Sequence, residues 1–454
     1  MLIYRKVHEM IILILLIGIL NIYDMLKNVN ISILDIIQIN EKNILYLFLI
    51  TLFFFFIFFH SNLESKDFSL VFSMEFELIL GLGLIGLYFI LLSNDLLLFY
   101  LALELYSLSV YLLLFKNEID KAKISILYFL LGSISSSFIL LGIAILYNKS
   151  GSLDFYFILQ NLDLISNYHK EGGIYVILGL ILIILGILFK LGAAPFQYWV
   201  IRVYTQMDLK ILVYQSIVPK IVYILLLSNI IYNINSFNIN LVLLLLLFSS
   251  FLSLFIGPIG GITHGVNQFK TIIAYSSILH VGYLLLGLVS NYFCEAVYLN
   301  IFQYLFIYGL NTFQFLLAFV FIQSFFKKRD LNLNMPLIFF FFLISIFSFI
   351  GLPPFAGFYA KLNIIINCYN TNNILLQIIA IIFILFSTLI AAFLYLKFIN
   401  YLYFFNSSLS TSTTSSFSPY NFFSAYLLSF LTIIITIYPI IYAYISPIYE
   451  ILSL

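Results

Sequence analysis

Long apolar runs alternate with short polar joints along the whole chain, and the runs have the length of membrane-spanning helices. A hydrocarbon core about 30 Å thick takes about 20 helical residues to cross. Thirteen spans are expected, at about 8–25, 43–61, 76–93, 96–115, 122–148, 173–204, 210–232, 239–262, 268–290, 295–324, 336–367, 373–404 and 420–447. The sixth is broken by Pro195 and the eleventh by Pro353 and Pro354, because proline removes a helix hydrogen bond and clashes with the preceding turn. The polar, low-complexity stretch from Ser407 to Ser418 reads as a loop between the last two spans. The expected fold class is therefore all-α, a polytopic transmembrane helical bundle.

Composition agrees with the pattern. Hydrophobic residues make up 63% and charged residues 9% of 454, where a soluble domain carries about 25% charge. The net charge of +1 gives no reason to expect a nucleic-acid partner. The cysteines, Cys294 and Cys368, form no CxxC, and the five histidines form no metal-binding or haem spacing, so no redox centre or metal site is expected on this chain. Heavy use of Phe and Tyr, with Ile, Leu and Asn, fits an AT-rich organelle gene. The first apolar segment lacks a cleavage site and a transit-peptide pattern and is read as a retained span.

The remaining charges give an orientation. Eleven of the 20 Lys and Arg residues fall on the side of the N-terminus, among them Arg5, Lys6, Lys116, Arg202 and Lys327 to Arg329. Four fall on the other side (Lys27, Lys42, Lys149 and Lys170), and five lie within spans. The positive-inside rule then places the N-terminus in the cytoplasm or matrix and, with an odd number of spans, the C-terminus opposite.

Three of the lysines within spans are isolated. Lys190 is the only charge between Glu171 and Arg202, Lys220 is followed by none before Lys270, and Lys361 is the only one between Asp330 and Lys397. A lysine at the centre of a membrane helix costs about 2.5–3.5 kcal/mol on insertion scales and is kept where a partner or water-filled cavity meets it. Low dielectric also makes a lysine easier to deprotonate, which points to ion or proton movement; the competing reading is a snorkelling or structural lysine. Glu104 sits nine residues after Asp95 and twelve before Lys116, deep in its span, and Lys190 is its natural partner. A pair of this kind that can open is a switch.

The two broken spans run in opposite directions and are offset by five spans. That is the arrangement of two inverted five-helix repeats, common in transporters with sites at the midplane. The expected organisation is N-terminal spans at 1–75, a first half at 76–232, a second half at 233–404, and a polar loop with a C-terminal span at 405–454.

The segments LELYSLSVYLL, KAKISILYFLLGSISSSFILLGIAILY, LFKLGAAPFQYW, SIVPKIVYILLL, FKTIIAYSSILHVGYLLLGL and GLPPFAGFYAK, in this order from about Glu75 to Lys397, resemble the antiporter-like subunit 2 family of NADH:ubiquinone oxidoreductase, respiratory complex I. The resemblance implies a proton-translocating subunit of the membrane arm, driven by quinone reduction elsewhere in the complex. It implies Glu104 and Lys190 as a glutamate–lysine pair, Lys220 as a central relay, Lys361 as the lysine of the second broken helix and His280 on the hydrated axis between half-channels. On the residues alone, His280 is as well explained as a satisfied core histidine. No cofactor is implied on this chain, since FMN, iron–sulfur clusters and ubiquinone belong to other subunits. The implied partners are other membrane-arm subunits, including a neighbouring antiporter-like subunit, together with lipid, and the implied location is the mitochondrial inner membrane. Gln197 stands where the family usually has histidine. The alternatives are a subunit of a multi-subunit cation/proton antiporter and the sister subunits 4 and 5. Lys361 speaks against subunit 4, and the lack of a long C-terminal extension against subunit 5.

Overall fold

The structure is a computed structural model and describes residues 32–33, 37–38, 46–54, 70–115, 119–160, 172–234, 239–265, 268–292, 297–328, 335–369, 374–405 and 427–439. The span expected at 8–25 and the loop at 407–418 lie outside these residues, and the spans at 43–61 and 420–447 fall within them only in part. Among the described residues the chain is helical apart from short joints and a two-residue antiparallel ladder pairing Ser32–Ile33 with Ile37–Gln38. Helix is the form that lets an open apolar segment satisfy every backbone group inside a bilayer. Eight of the described helices are long and apolar enough to cross a membrane. Shorter apolar helices lie at Tyr175–Leu191, Leu337–Ile350 and Leu427–Pro439.

The chain divides into two compact units, Met1–Ser249 and Ser250–Leu454. The first holds α1 (residues 46–54), α2 (Leu70–Leu92), α3 (Leu96–Leu114), α4 (Ile119–Ser150), the short α5 (Phe155–Gln160), α6 (Gly172–Leu191), α7 (Tyr198–Gln206) and α8 (Leu209–Asn233). The division falls within α9 (Ile239–Gly260), which runs into a π-helical turn at Gly261–Gly265. The second unit continues with α10 (Phe269–Tyr292), α11 (Val297–Lys328), α12 (Met335–Ile350), α13 (Ala356–Tyr369), α14 (Ile374–Phe405) and α15 (residues 427–439). Residues 211–228 of α8 and 271–290 of α10 are buried at every position, whereas only a third of the α14 stretch is buried. Each unit thus has a helix whose middle is enclosed by protein, α8 carrying Lys220 and α10 carrying His280.

Small residues let helix backbones approach closely. A Cβ on Gly142 of α4 would lie 2.6 Å from the carbonyl oxygen of Gly179 on α6. Without an aqueous driving force between helices in lipid, such close backbone packing is what holds them together. Gly142→Leu is therefore expected to push α4 off α6 and reduce the assembled protein recovered on native gels, while Gly81→Leu, whose Cβ meets open space, is tolerated.

Hydroxyl residues inside the spans mostly fold back on their own helix. Ser107, Ser109, Ser135, Ser216 and Ser253 each donate to the carbonyl three residues earlier. They carry polarity through apolar helices without needing a partner from elsewhere.

Both proline breaks use one backbone pattern. Gly192 and Gly351 have φ of +71° and +88°, the left-handed conformation that ends a helix and that a side chain opposes. Ala193 N–H reaches back to Leu188 O at 3.1 Å, and Leu352 N–H to Phe347 O at 3.2 Å. Phe196 N–H then bonds Ala193 O at 2.8 Å, and Phe355 N–H bonds Leu352 O at 3.0 Å. In both cases a side chain of the second half-helix returns to the end of the first: Trp199 Nε1 donates to Phe189 O at 2.8 Å, and Lys361 Nζ to Phe349 O at 2.8 Å.

Candidate functional site

In the first unit the break places Lys190 in the last turn of α6, where the partial negative charge of the helix end favours a cation. Lys190 is 6% exposed. Glu104, half-buried on α3, lies within electrostatic range of it and also of Tyr100, Tyr111 and Tyr223. The carboxylate lies 3.2 Å from Ser107 Oγ, whose one proton it shares with the Glu104 backbone carbonyl at 3.0 Å, and does not close onto the ammonium as a direct ion pair. The glutamate and lysine thus face each other as an open pair.

Lys220 is 3% exposed on the enclosed helix α8, immediately after Pro219. A proline has no N–H to give, so the carbonyl of Gln215, four residues back, loses its helix bond. Tyr204 OH on α7 donates to that carbonyl at 3.1 Å. The Gln215 side chain accepts from Tyr106 OH of α3 at 2.5 Å, and its Nε2 lies 3.5 Å from Tyr128 OH of α4. One buried glutamine therefore ties the helix of Lys220 to the helix of Glu104 and to α4 and α7. Sequence reasoning missed this hub; its one visible sign is Gln215 in an apolar run five residues before a lysine.

At the end of the first unit where α2 meets α3, Asp95 precedes α3 and faces Asp154 before α5. The segments are joined by Leu96 N–H to Leu153 O at 3.0 Å and Phe155 N–H to Asn94 O at 2.9 Å. Burial, and then the charge of Asp154, push the Asp95 carboxyl above its ordinary range. An acid whose pKa is raised by folding has its full stability below the unfolded value, about 3.9, and loses some as pH rises through the folded value. Asp95→Asn is accordingly expected to slow amide hydrogen exchange at Leu96 and Phe155 at pH 7, with the difference from the parent vanishing below about pH 4.

In the second unit Lys361 is 5% exposed, and its Nζ donates to Phe349 O at 2.8 Å and Ile350 O at 2.9 Å, capping the exposed carbonyls at the end of α12. The ammonium also sits 5.0 Å from the centre of the Tyr283 ring. His280, 4% exposed one turn before Tyr283 on α10, has Nδ1 2.8 Å from Tyr304 OH. The histidine ring lies 5.0 Å from Tyr308 and 5.3 Å from Phe349. Lys361 and His280, far apart in sequence, are thus gathered around Tyr283 and Phe349. Gln197, where a family histidine was expected, lies in the turn just before α7. Asn311, Gln314 and Ser348 are further buried polar residues that sequence reasoning did not single out. Asn311 and Gln314 carry a faint signal, two amides three residues apart in an apolar span.

Comparison with known proteins narrows what such an arrangement belongs to. The chain is similar to NADH-quinone oxidoreductase subunit N of Pelagibacter ubique, 31% identical over 344 residues, covering 74% of this chain and 70% of that protein. It is also 31% identical over 362 residues to NADH-ubiquinone oxidoreductase chain 2 of Rhizopus oryzae, covering 76% and 67%. The fold matches a chain of respiratory complex I from Thermus thermophilus with a TM-score of 0.75 at 20% identity, over 98% of this chain and 94% of that one. A chain of the Mrp complex from Dietzia sp. matches with a TM-score of 0.73 at 17% identity, over 91% and 77%. Residues 93–391, which contain Glu104, all three isolated lysines, His280 and both helix breaks, match the model of the NADH:quinone oxidoreductase/Mrp antiporter transmembrane family, and the chain belongs to that family.

Proposed function

We propose that this protein is the antiporter-like subunit 2 of the membrane arm of NADH:ubiquinone oxidoreductase and translocates protons as quinone is reduced elsewhere in the complex. The observation that carries the reading is a buried ammonium at the end of the first half-helix at each break: Lys190 interacts with Glu104 through space without a direct ion pair, and Lys361 lies over the ring of Tyr283, one turn from His280. An ammonium held by a through-space carboxylate, or by backbone carbonyls and a ring face, can exchange its proton without dismantling the fold. In this reading Glu104 and Lys190 gate the first half, Lys220 relays at the centre, and His280 with Lys361 serve the second half. The relatives carrying the name of the NADH enzyme favour it over the antiporter branch of the same family.

The finer architecture follows the same reading. Thirteen spans, with two inverted five-helix repeats centred on the breaks, place the N-terminus in the matrix and the C-terminus in the intermembrane space of a mitochondrion. The shared backbone pattern of the two breaks supports the repeat. Flavin, iron–sulfur clusters and ubiquinone are held by other subunits, and the exposed apolar faces suit lipid and neighbouring membrane-arm subunits. Affinity purification of the tagged chain tests this directly. Recovery with a flavin- and iron–sulfur-containing assembly that oxidises NADH is expected; recovery in a flavin-free assembly with sodium-dependent transport would point to the antiporter branch instead.

A further inference from the structure

We infer that the second unit carries a binding site for an anionic phospholipid, whose phosphate is held by Lys397 of α14 and His264 of the π-helical turn and whose acyl chains lie along the seam between α14 and α9. The site lies apart from the proton-translocating residues. It rests on the proposed topology only for its leaflet, that of the matrix side.

Lys397 is the one charge in the apolar stretch of α14, Gln377–Leu402. Phe386, Leu389, Phe393, Lys397 and Asn400 recur every three or four residues along this helix, and all five are exposed. Beside that line runs α9. The Phe251 ring lies 4.4 Å from Phe383, and the Phe255 ring lies 5.5 Å from Phe383 and 5.4 Å from Phe386. Further along, a Cβ on Gly261 would run into the side chain of Leu394. The contacts climb both helices in the same order, so the two run parallel, and the seam ends where His264 comes level with Lys397. Both side chains are exposed there. The start of α10 joins the same end: Phe269 lies 6.2 Å from Phe398, and Lys270 follows it.

Basic side chains gathered at one end of a membrane unit select an anion, and this unit supplies none of its own. The carboxylate side chains between Ser250 and Leu454 are Glu295, Asp330 and Glu450, all outside the described residues. Depth then names the source. Lys397 stands five residues, about 8 Å, before the end of the apolar stretch at Leu402. From there a lysine stem carries its ammonium to the headgroup level. Tyr401, one turn on, is of the type that anchors helices at that level. A carboxylate on another membrane helix would be desolvated to reach the ammonium, whereas a headgroup phosphate is already at the interface. Basic positions between membrane helices on the matrix or cytoplasmic side are where anionic headgroups bind. His264 adds a ring N–H donor in either tautomer, and the exposed Phe255, Ile259, Leu389 and Phe393 give the acyl chains an apolar bed.

The test places the intact complex in phosphatidylcholine nanodiscs with a photoactivatable phosphatidylglycerol or, separately, a photoactivatable phosphatidylcholine of the same chains, and maps the crosslinks by peptide mass. Labelling of residues 374–405 is expected to favour the anionic probe about fivefold, the usual attraction of one lysine to an anionic surface. Lys397→Leu is expected to remove that preference and leave labelling by the neutral probe as it was. Equal labelling by the two probes in the parent overturns the site, as does a preference that survives Lys397→Leu combined with His264→Leu. Absence of labelling by either probe also overturns it, because another subunit then covers this face. Should the variants fail to assemble, the ratio of the two probes in the parent decides. Proton pumping does not enter the readout, so the lipid site and the translocating reading stand or fall separately.

Discussion

Lys190→Met is expected to stop coupled proton pumping in a complex that still assembles and still oxidises NADH with an artificial acceptor at the flavin site. The expected fall in the translocation step is about a hundredfold, the low end for removing a positioned acid–base group. Assembly should survive because Glu104 is only half-buried and has the Ser107 hydroxyl 3.2 Å away, so losing the lysine does not strand a carboxylate in contact with nothing. Glu104→Gln removes the negative charge opposite the ammonium and is expected to give the same loss of pumping by the opposite route. The double replacement leaves no uncompensated charge and should cost assembly less than the two singles combined, which a double-mutant cycle on complex yield would measure. Unchanged rate and stoichiometry in fully assembled Lys190→Met complex would make the lysine a structural residue.

Lys361 calls for a different pair of variants because it does two things. Lys361→Met should lower both pumping and stability, since the carbonyls of Phe349 and Ile350 lose their donor at about 1–3 kcal/mol each. Lys361→Arg keeps donors in reach of those carbonyls but carries a guanidinium that does not give up its proton in proteins. The arginine variant is therefore expected to keep the thermal stability of the complex and lose the pumping. Arginine complex that pumps normally would reduce Lys361 to a helix cap.

The difference between these lysines marks the limit of what the residues disclose in order. A lone charge in a long apolar run is conspicuous because its burial is costly, so Lys190, Lys220 and Lys361 could be picked out at once. Prolines fixed the two breaks for an equally plain reason. That the Lys361 ammonium turns back onto the preceding half-helix was not legible, because it depends on the left-handed turn at Gly351 and on how α13 packs. The pairing of Glu104 with Lys190 was legible as proximity only, and the hydrogen bond from Ser107 came from the fold. Uncharged polar residues were the hardest to read. Serines that bond their own helix look the same in sequence as polar residues that bond across helices, and with 34 tyrosines in the chain Tyr106, Tyr128 and Tyr204 did not stand out. Gln215, Asn311 and Gln314 acquire meaning only once facing helices bring their partners.

Pro219 carries a mechanical consequence. Because the bond from residue 219 to Gln215 cannot form, α8 is spliced at that turn by a side chain of another helix, the hydroxyl of Tyr204 on α7. The splice lies directly beside Lys220. A tilt of α7 that pulled this latch would free a joint in the middle of an otherwise stiff rod, and the residue re-aimed by the bend would be the lysine.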